Sequence, residues 1–279
     1  MCDAARRRLA VGFFDGVHLG HRAILAGADA ALTFRNHPLS VLKPECAPGL
    51  LTTFEEREAA IRSCGVKDVI ALDFDRALAD MPADEFAGRF LRGSEVRCGD
   101  DWRFGARGEG CPEWLRRHGY AVSTVGFEVF RGGKISSSRI RSALDEGDVA
   151  AASAMLGRRY SLSGVVSRGK GLGSEIGFPT VNVLLPEDRS SQLPRSGVYE
   201  VLSGGVRGVA NYGVAPSMGE RAWPHPVLEI NFPGAVMEFP EGSRLTAEFV
   251  RFIRPEMKFS SLGELQRQIA RDIASLQLN

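Results

Sequence analysis

The chain changes its hydrophobic rhythm near Arg158, and that change limits what it can fold into. Upstream, short apolar runs alternate with helix-like stretches. Residues 9–14, 31–34, 69–74 and 121–127 read as strands, and 83–91, 138–146 and 148–156 as helices. Thr53-Phe-Glu-Glu56 is a capping box, with hydroxyl and carboxylate each satisfying a free backbone N–H, and it opens a helix that ends near Cys64. Gly147 and Gly157 close the last two helices. Strand and helix in alternation build a mostly parallel sheet covered on both faces.

Downstream, 161–166, 180–185, 198–203, 206–211, 227–232 and 244–250 are β-rich runs separated by Gly, Pro and Asn, the mark of a small antiparallel barrel. Ser261-x-x-Glu264 caps a last helix, whose Leu262, Leu265, Ile269, Ile273 and Leu276 recur at helical spacing. The expected fold class is α/β plus β. A doubly wound, Rossmann-type domain takes residues 1–158, and an antiparallel β-barrel with a C-terminal helix takes 159–279.

Composition narrows the function. The 279 residues, 44% of them hydrophobic, can bury two cores of ordinary domain size, ~100–150 residues each. The 35 basic groups nearly cancel 34 acidic ones, which argues against a nucleic-acid binder but leaves room for a local pocket for small anions. Cys2, Cys46, Cys64, Cys98 and Cys111 are odd in number and form no C-x-x-C pair, so a reducing compartment is expected. The N-terminal apolar run, Leu9 to Phe14, is too short for a signal-peptide core or a membrane span, and a soluble cytoplasmic protein is expected.

The sharpest upstream signal is Gly12-Phe-Phe-Asp-Gly-Val-His-Leu-Gly-His21, directly after the first strand. In an open α/β sheet, ligands bind beyond the carboxyl ends of the strands. His18 and His21 then stand at a helix start, where free N–H groups favour phosphate and two imidazoles add donors. The pair lacks the i, i+4 spacing and the glutamate of a zinc-protease helix. Late in the same half, Ile135-Ser-Ser-Ser-Arg-Ile-Arg141 offers hydroxyls at another helix start and a forked cation for a polyphosphate.

Together these segments resemble the nucleotidyltransferase superfamily with H-x-G-H and Ile-Ser-Ser-Thr-x-x-Arg signatures. More narrowly they resemble the N-terminal domain of bacterial bifunctional riboflavin kinase/FAD synthetases. Thr33-Phe34-x-x-His37-Pro38, Leu51-Thr52-Thr53 and Cys98-Gly-Asp-Asp-Trp-Arg-Phe-Gly105 extend the likeness. It implies that an FMN phosphate oxygen attacks the α-phosphorus of ATP and pyrophosphate leaves. His18, His21, Arg141 and a magnesium ion would stabilise the developing charge. Gly12, Phe14, Asp15, Gly20, Ser137 and Ser138 would line the ATP site. The sequence departs from the family in four ways: a short stretch from His21 to Thr33, an abbreviated one between Phe90 and Cys98, Asn36 in place of proline, and Ser138 in place of threonine.

The downstream half opens with a glycine-rich stretch. Gly164 to Lys170 matches the first seven positions of a P-loop, but Gly171 stands where Ser or Thr should meet magnesium and no helix pattern follows, so that reading is rejected. Gly169, Gly171 and Gly173 instead suit a loop whose backbone N–H groups wrap ATP phosphates. Thr180 and Asn182 alternate on the next strand and share a face, offering magnesium a hydroxyl and an amide oxygen. Taken alone, Thr-x-Asn is also what an ordinary exposed strand face looks like.

Gly-Phe-Pro-Thr-x-Asn, Gly197-Val-Tyr199, Gly208-Val-Ala-Asn-Tyr-Gly213, Leu228-Glu229 and Lys258-Phe259 resemble the riboflavin kinase domain throughout its length. The resemblance implies that Glu229 is the general base for the ribityl 5′-hydroxyl, with riboflavin, FMN and ATP as small-molecule partners. Ser174 replaces a usual arginine, and 231–242 lacks the usual Asp-Phe and Leu-Tyr-Gly marks. A kinase-only enzyme, or a non-catalytic flavin or nucleotide sensor, are the competing readings.

Overall fold

The structure is a computed structural model, and it describes residues 6–167, 172–185, 192–213, 227–235 and 239–276. Of the residues named above, Cys2, Gly169, Lys170 and Gly171 lie outside this set, as do 236–238 of the 231–242 stretch and the side chain of Ser174. The chain divides into two compact units, one of residues 1–139 with 190–192 and one of 140–189 with 193–279.

The first unit holds a parallel five-stranded sheet. Its strands are β1 (Arg7–Val11), β2 (Ala30–Phe34), β3 (Asp68–Leu72), β4 (Ser94–Gly99) and β5 (Ala121–Val125), in the order β3-β2-β1-β4-β5. Between them run α1 (Leu19–Leu25), α2 (Leu39–Leu42), α3 (Phe54–Ser63), α4 (Arg76–Ala79), α5 (Ala83–Phe90) and α6 (Pro112–Arg117), and a small ribbon, β6 (Val129–Phe130) with β7 (Gly133–Lys134), follows. Strand alternation sends Leu9, Val11 and Leu32 into a core on one face, with Phe86, Val96 and Leu115. Ala10 and Ala31 face the other, with Phe14, Leu25 and Ile61. The Thr53–Glu56 capping box opens α3 as expected, with both of its reciprocal bonds formed.

The segment between Phe90 and Cys98, which reads as abbreviated, holds a full strand. β4 pairs with β1 on one side and β5 on the other. Its Val96 and Cys98 are buried, while Arg97 reaches back to the last carbonyls of α1, Ile24 O at 3.2 Å and Ala23 O at 3.3 Å. The chain leaves β1 toward β2 and β3, then returns to β4. The crevice at the carboxyl ends of β1 and β4 is therefore where the strand order reverses, and ligands of such sheets bind there. The first crossover helix is short, seven residues, as the sequence indicated.

The division between the units falls inside α7 (Ser137–Glu146), and α8 (Val149–Leu156) follows with Asp148 as its N-cap and Gly157 in the left-handed conformation at its end. The second unit is a closed antiparallel barrel of β8 (Ser161–Ser167), β9 (Val181–Leu184), β10 (Gly197–Ser203), β11 (Val206–Gly213), β12 (Val227–Asn231) and β13 (Arg244–Arg254), in the order β10-β11-β12-β9-β8-β13. One turn of helix, α9 (Leu172–Glu175), stands where no helix pattern was expected after Gly171. α10 (Leu262–Ala274) is capped by Ser261, whose hydroxyl accepts from the Glu264 N–H. Ile273 and Leu276 join Val198 and Val209 in a small core, whereas Leu262 is exposed and does not belong to the buried face. Beside this core, Glu200 is fully buried between the guanidinium groups of Arg207 and Arg251, and Asp272 holds Arg254 at 2.8 Å.

Candidate active sites

In the first unit, β1 ends at Val11 and the chain turns at once, with the Gly12 N–H on Leu32 O at 3.2 Å. Phe14 is left-handed (φ 57°) and fully buried, and Asp15–Val17 forms one 3-10 turn. Segments distant in sequence hold this loop. The Thr33 hydroxyl donates to Phe13 O at 3.0 Å, and the Ser137 hydroxyl donates to Asp15 O at 2.9 Å. The Asp15 carboxylate accepts from the Leu51 N–H at 2.9 Å, and the Gly16 N–H reaches the Thr52 hydroxyl at 3.3 Å. Thr33, Leu51, Thr52 and Ser137, grouped in the sequence only by resemblance, thus converge on the turn that precedes the histidines.

His18 is the N-cap of α1, and its Nδ1 accepts from the His21 N–H at 3.3 Å. A Cβ at residue 20 would stand 3.3 Å from the His18 ring, so Gly20 leaves the imidazole room to lie across the helix start. The two rings stack, centroids 3.5 Å apart and planes at 16°, and Phe14 meets His21 edge-on at 5.4 Å. Burial pushes the His21 pKa well below the ordinary histidine range, and the nearby charges of His18, Arg57 and Lys134 push the same way. His21 is neutral at pH 7, with one ring nitrogen for donating and one for accepting. Its Nδ1 has no hydrogen-bond partner among the described residues. Because α1 is so short, the imidazoles count for more here than the helix terminus does.

Sequence reasoning missed Arg57. It is fully buried over the Phe13 ring, 4.3 Å from the centroid, and its Nη2 donates to Phe34 O at 2.7 Å and Arg35 O at 2.8 Å. It therefore fastens the carboxyl end of β2 to the loop after β1. Its position one residue past a capping box carries no sign of this. Asn36, noted as a departure, has work of its own: its amide bridges the Phe74 backbone, accepting from N–H at 2.9 Å and donating to O at 2.8 Å. At the start of α7, Ser136 accepts from the Arg139 N–H at 3.3 Å and so supplies the cap, while Ser138 is exposed. Arg141 follows on α7, past the division between the units.

In the barrel, register brings the second set of candidate residues together. Asn182 lies directly opposite Glu229 between β9 and β12, and Glu229 lies opposite Asn211 between β12 and β11. Ser167 of β8 pairs with Asn182. Directly paired residues share a face, so Ser167, Asn182, Glu229 and Asn211 form one polar row across four strands. Val183, Leu228 and Ile230, the residues between, are fully buried on the opposite face and fill the barrel. Glu229 thus stands on the outer face rather than in the interior. It is nonetheless half-buried, and desolvation raises its pKa above the ordinary carboxylate range.

Thr180 immediately precedes β9, two residues before Asn182. A Cβ on Gly173 would stand 2.5 Å from Phe178 O and 3.0 Å from Thr180 Oγ1, so only a glycine lets α9 close over this corner. Hydroxyl, amide oxygen and nearby carboxylate are all hard oxygen donors, which is the set magnesium takes in company with phosphate and water. Among the described residues no cluster of three His, Cys, Asp or Glu side chains could hold a metal by itself. Ser167 and Asn211 were not singled out by the sequence, because only the register aligns them with Glu229.

A family profile described as FAD synthetase matches residues 3–139, and one described as riboflavin kinase matches residues 156–278. A protein of Escherichia coli strain K12 named bifunctional riboflavin kinase/FMN adenylyltransferase is 37% identical over 287 aligned residues, which cover 95% of this chain and 90% of that protein. Its namesake from Bacillus subtilis strain 168 is 33% identical, with 97% and 91% covered. A solved structure titled as a macrolide-efflux protein from Streptococcus pneumoniae matches with a TM-score of 0.84 at 27% identity, covering 97% of this chain and 93% of that one.

Proposed function

This chain belongs to the family of bifunctional riboflavin kinase/FMN adenylyltransferases, and from that premise we propose a residue-level account of how it converts riboflavin to FMN and FMN to FAD, each step consuming ATP. One observation carries the account. Each unit brings together side chains suited to phosphate: the stacked His18 and His21 in one, and the register-matched Asn182 and Glu229 beside Thr180 in the other. Neither unit is reduced to a scaffold for the other.

In the barrel, Glu229 removes the proton of the ribityl 5′-hydroxyl as that oxygen attacks the γ-phosphorus, and ADP leaves. Thr180 and Asn182 would hold magnesium, which neutralises phosphate charge when bound. Gly173, at the start of α9, offers its backbone N–H to the ATP phosphates. In the first unit, an FMN phosphate oxygen attacks the α-phosphorus of the second ATP and pyrophosphate leaves. No covalent enzyme intermediate is needed. His18 and His21 donate to the phosphate oxygens. Gly12, Phe14, Asp15, Gly20, Ser137 and Ser138 form the ATP-contacting loops, with the Asp15 carboxylate already engaged in holding Leu51. The working division of the chain is 1–158 for adenylylation and 159–279 for the kinase. A cytoplasmic setting belongs to the same proposal, and the cysteines 46, 64, 98 and 111 are all free thiols. Macrolide efflux stays with the protein whose title names it. Among the described residues no helix is long and apolar enough to cross a membrane.

Incubating the purified protein with riboflavin, ATP and Mg²⁺ is expected to yield FMN first and FAD after it. FMN without FAD would mean a kinase alone, and no turnover would mean a sensor. The raised pKa of Glu229 gives a second expectation. A base works only when deprotonated, so kcat/KM for riboflavin should rise with pH along a limb lying above the ordinary glutamate pKa of about 4.3. A limb at or below that value would contradict the assignment.

A further inference from the structure

We propose that Asn231 is a positioning residue of the kinase site, fixing the Thr180 corner to the strand that carries Glu229. This rests on the reading of Thr180 and Asn182 as the magnesium-holding pair. The β9–β12 ladder runs from Val227 opposite Leu184 to Ile230 opposite Val181, and there it ends. Thr180 lies one residue beyond it, and Pro179 has no N–H with which to extend it. A side chain continues the tie instead. Asn231 Nδ2 donates to Pro179 O at 2.8 Å, across 52 residues of sequence. Pro179 O can only accept, so the amide orientation follows from chemistry. Asn231 is two residues past Glu229 and shares its face of the sheet.

The bond is a buried one, for Asn231 is only 7% exposed. Its Oδ1 is buried with no hydrogen-bond partner among the described residues. An unpaired buried acceptor works against stability, and an apolar side chain of similar size would avoid that penalty. What the asparagine alone supplies is the donor to Pro179. The other side of the corner is tethered separately. The Phe178 N–H bonds Gly173 O at 2.7 Å, and Gln266 of α10 holds Ile176 O at 3.2 Å. Without Asn231, the segment from Ile176 to Thr180 would still be held at α9 and α10 but would lose its link to β12. The distance between Thr180 and Glu229 would then no longer be fixed.

The test compares N231L and N231S with T180A and the unaltered protein. N231L fills the space without a donor, and the serine hydroxyl is too short to span the gap. Three quantities are measured for riboflavin phosphorylation: the Mg²⁺ concentration for half-maximal rate, kcat, and KM for riboflavin. FAD formation from added FMN, which belongs to the other unit, reports on folding. Both Asn231 variants are expected to raise the Mg²⁺ requirement about tenfold and lower kcat about 10–100-fold, the scale of a misplacement of about 1 Å, with KM for riboflavin and FAD formation near normal. A purely structural role would leave the Mg²⁺ requirement alone. If T180A shifts that requirement and the Asn231 variants do not, the inference is wrong and the metal reading survives. If T180A leaves it unmoved, the metal reading fails and takes this inference with it.

Discussion

Glu229→Gln should cut riboflavin phosphorylation by about 10²–10⁴-fold while the conversion of added FMN to FAD proceeds at its normal rate. Glutamine keeps the size and the polar character of the side chain but cannot accept the hydroxyl proton. The position magnifies the effect. Leu228 and Ile230 on either side are fully buried, so β12 is held rigidly, and Asn182 and Asn211 lie directly opposite on the two neighbouring strands. No other carboxylate lies in that polar row. The variant should also be at least as stable as the parent, because it removes a group whose charged form is penalised by burial. Rates of FMN and FAD formation, measured separately by chromatography, check this. Equal loss of both products would refute the assignment of two sites.

The second large effect is expected from the histidines. His18→Ala should lower FAD formation from FMN by about 10²–10³-fold, the usual consequence of losing a donor aimed at developing charge, and leave FMN formation intact. His18 also holds its neighbour. Its Nδ1 takes the His21 N–H and its ring lies flat against that of His21, so its loss frees His21 to rotate. His21→Ala should give a similar loss, and the double variant should lose much less than the product of the two, since the rings act as a stacked pair. The pH profile adds a separate check. With its pKa pushed down by burial and neighbouring charge, His21 stays neutral across the neutral range, so adenylylation should show no limb from this ring at the ordinary histidine pKa of about 6.5. Phosphorylation unaffected by both substitutions would complete the separation.

Much of this was legible in the sequence, for reasons that show where legibility ends. The strands of the barrel were readable because each is a run of β-branched and apolar residues bounded by Gly, Pro or Asn. β4 was not. It reads Ser-Glu-Val-Arg-Cys-Gly, and only Val96 and Cys98 are buried, while Arg97 spends its charge on the end of α1. A central strand with so few apolar residues looks like a linker until its partners are known. α9 escaped because a single turn between glycines has no periodicity to detect. Leu262 was misassigned because helical spacing gives a face but not where that face stops being covered.

The sites show the same division. His18, His21, Thr180, Asn182 and Glu229 could be proposed from the sequence because they stand in short motifs. Arg57 and Asn231 are bonded to distant backbone, and nothing adjacent to them in the chain announces those bonds; Asn211 stands inside a motif, but only strand register sets it opposite Glu229. Asn36 looked like a departure from the family and proves to be a tie between the ends of β2 and β3.

We propose that each unit works with its own residues and that FMN made in the barrel reaches the first unit through solution. Mixing the Glu229→Gln protein with the His18→Ala protein and supplying riboflavin, Mg²⁺ and ATP tests it most directly. Each protein alone should make almost no FAD from riboflavin. The mixture should make it readily, after a lag during which FMN accumulates. A mixture as inactive as its parts, although each retains its remaining half-reaction, would contradict the account.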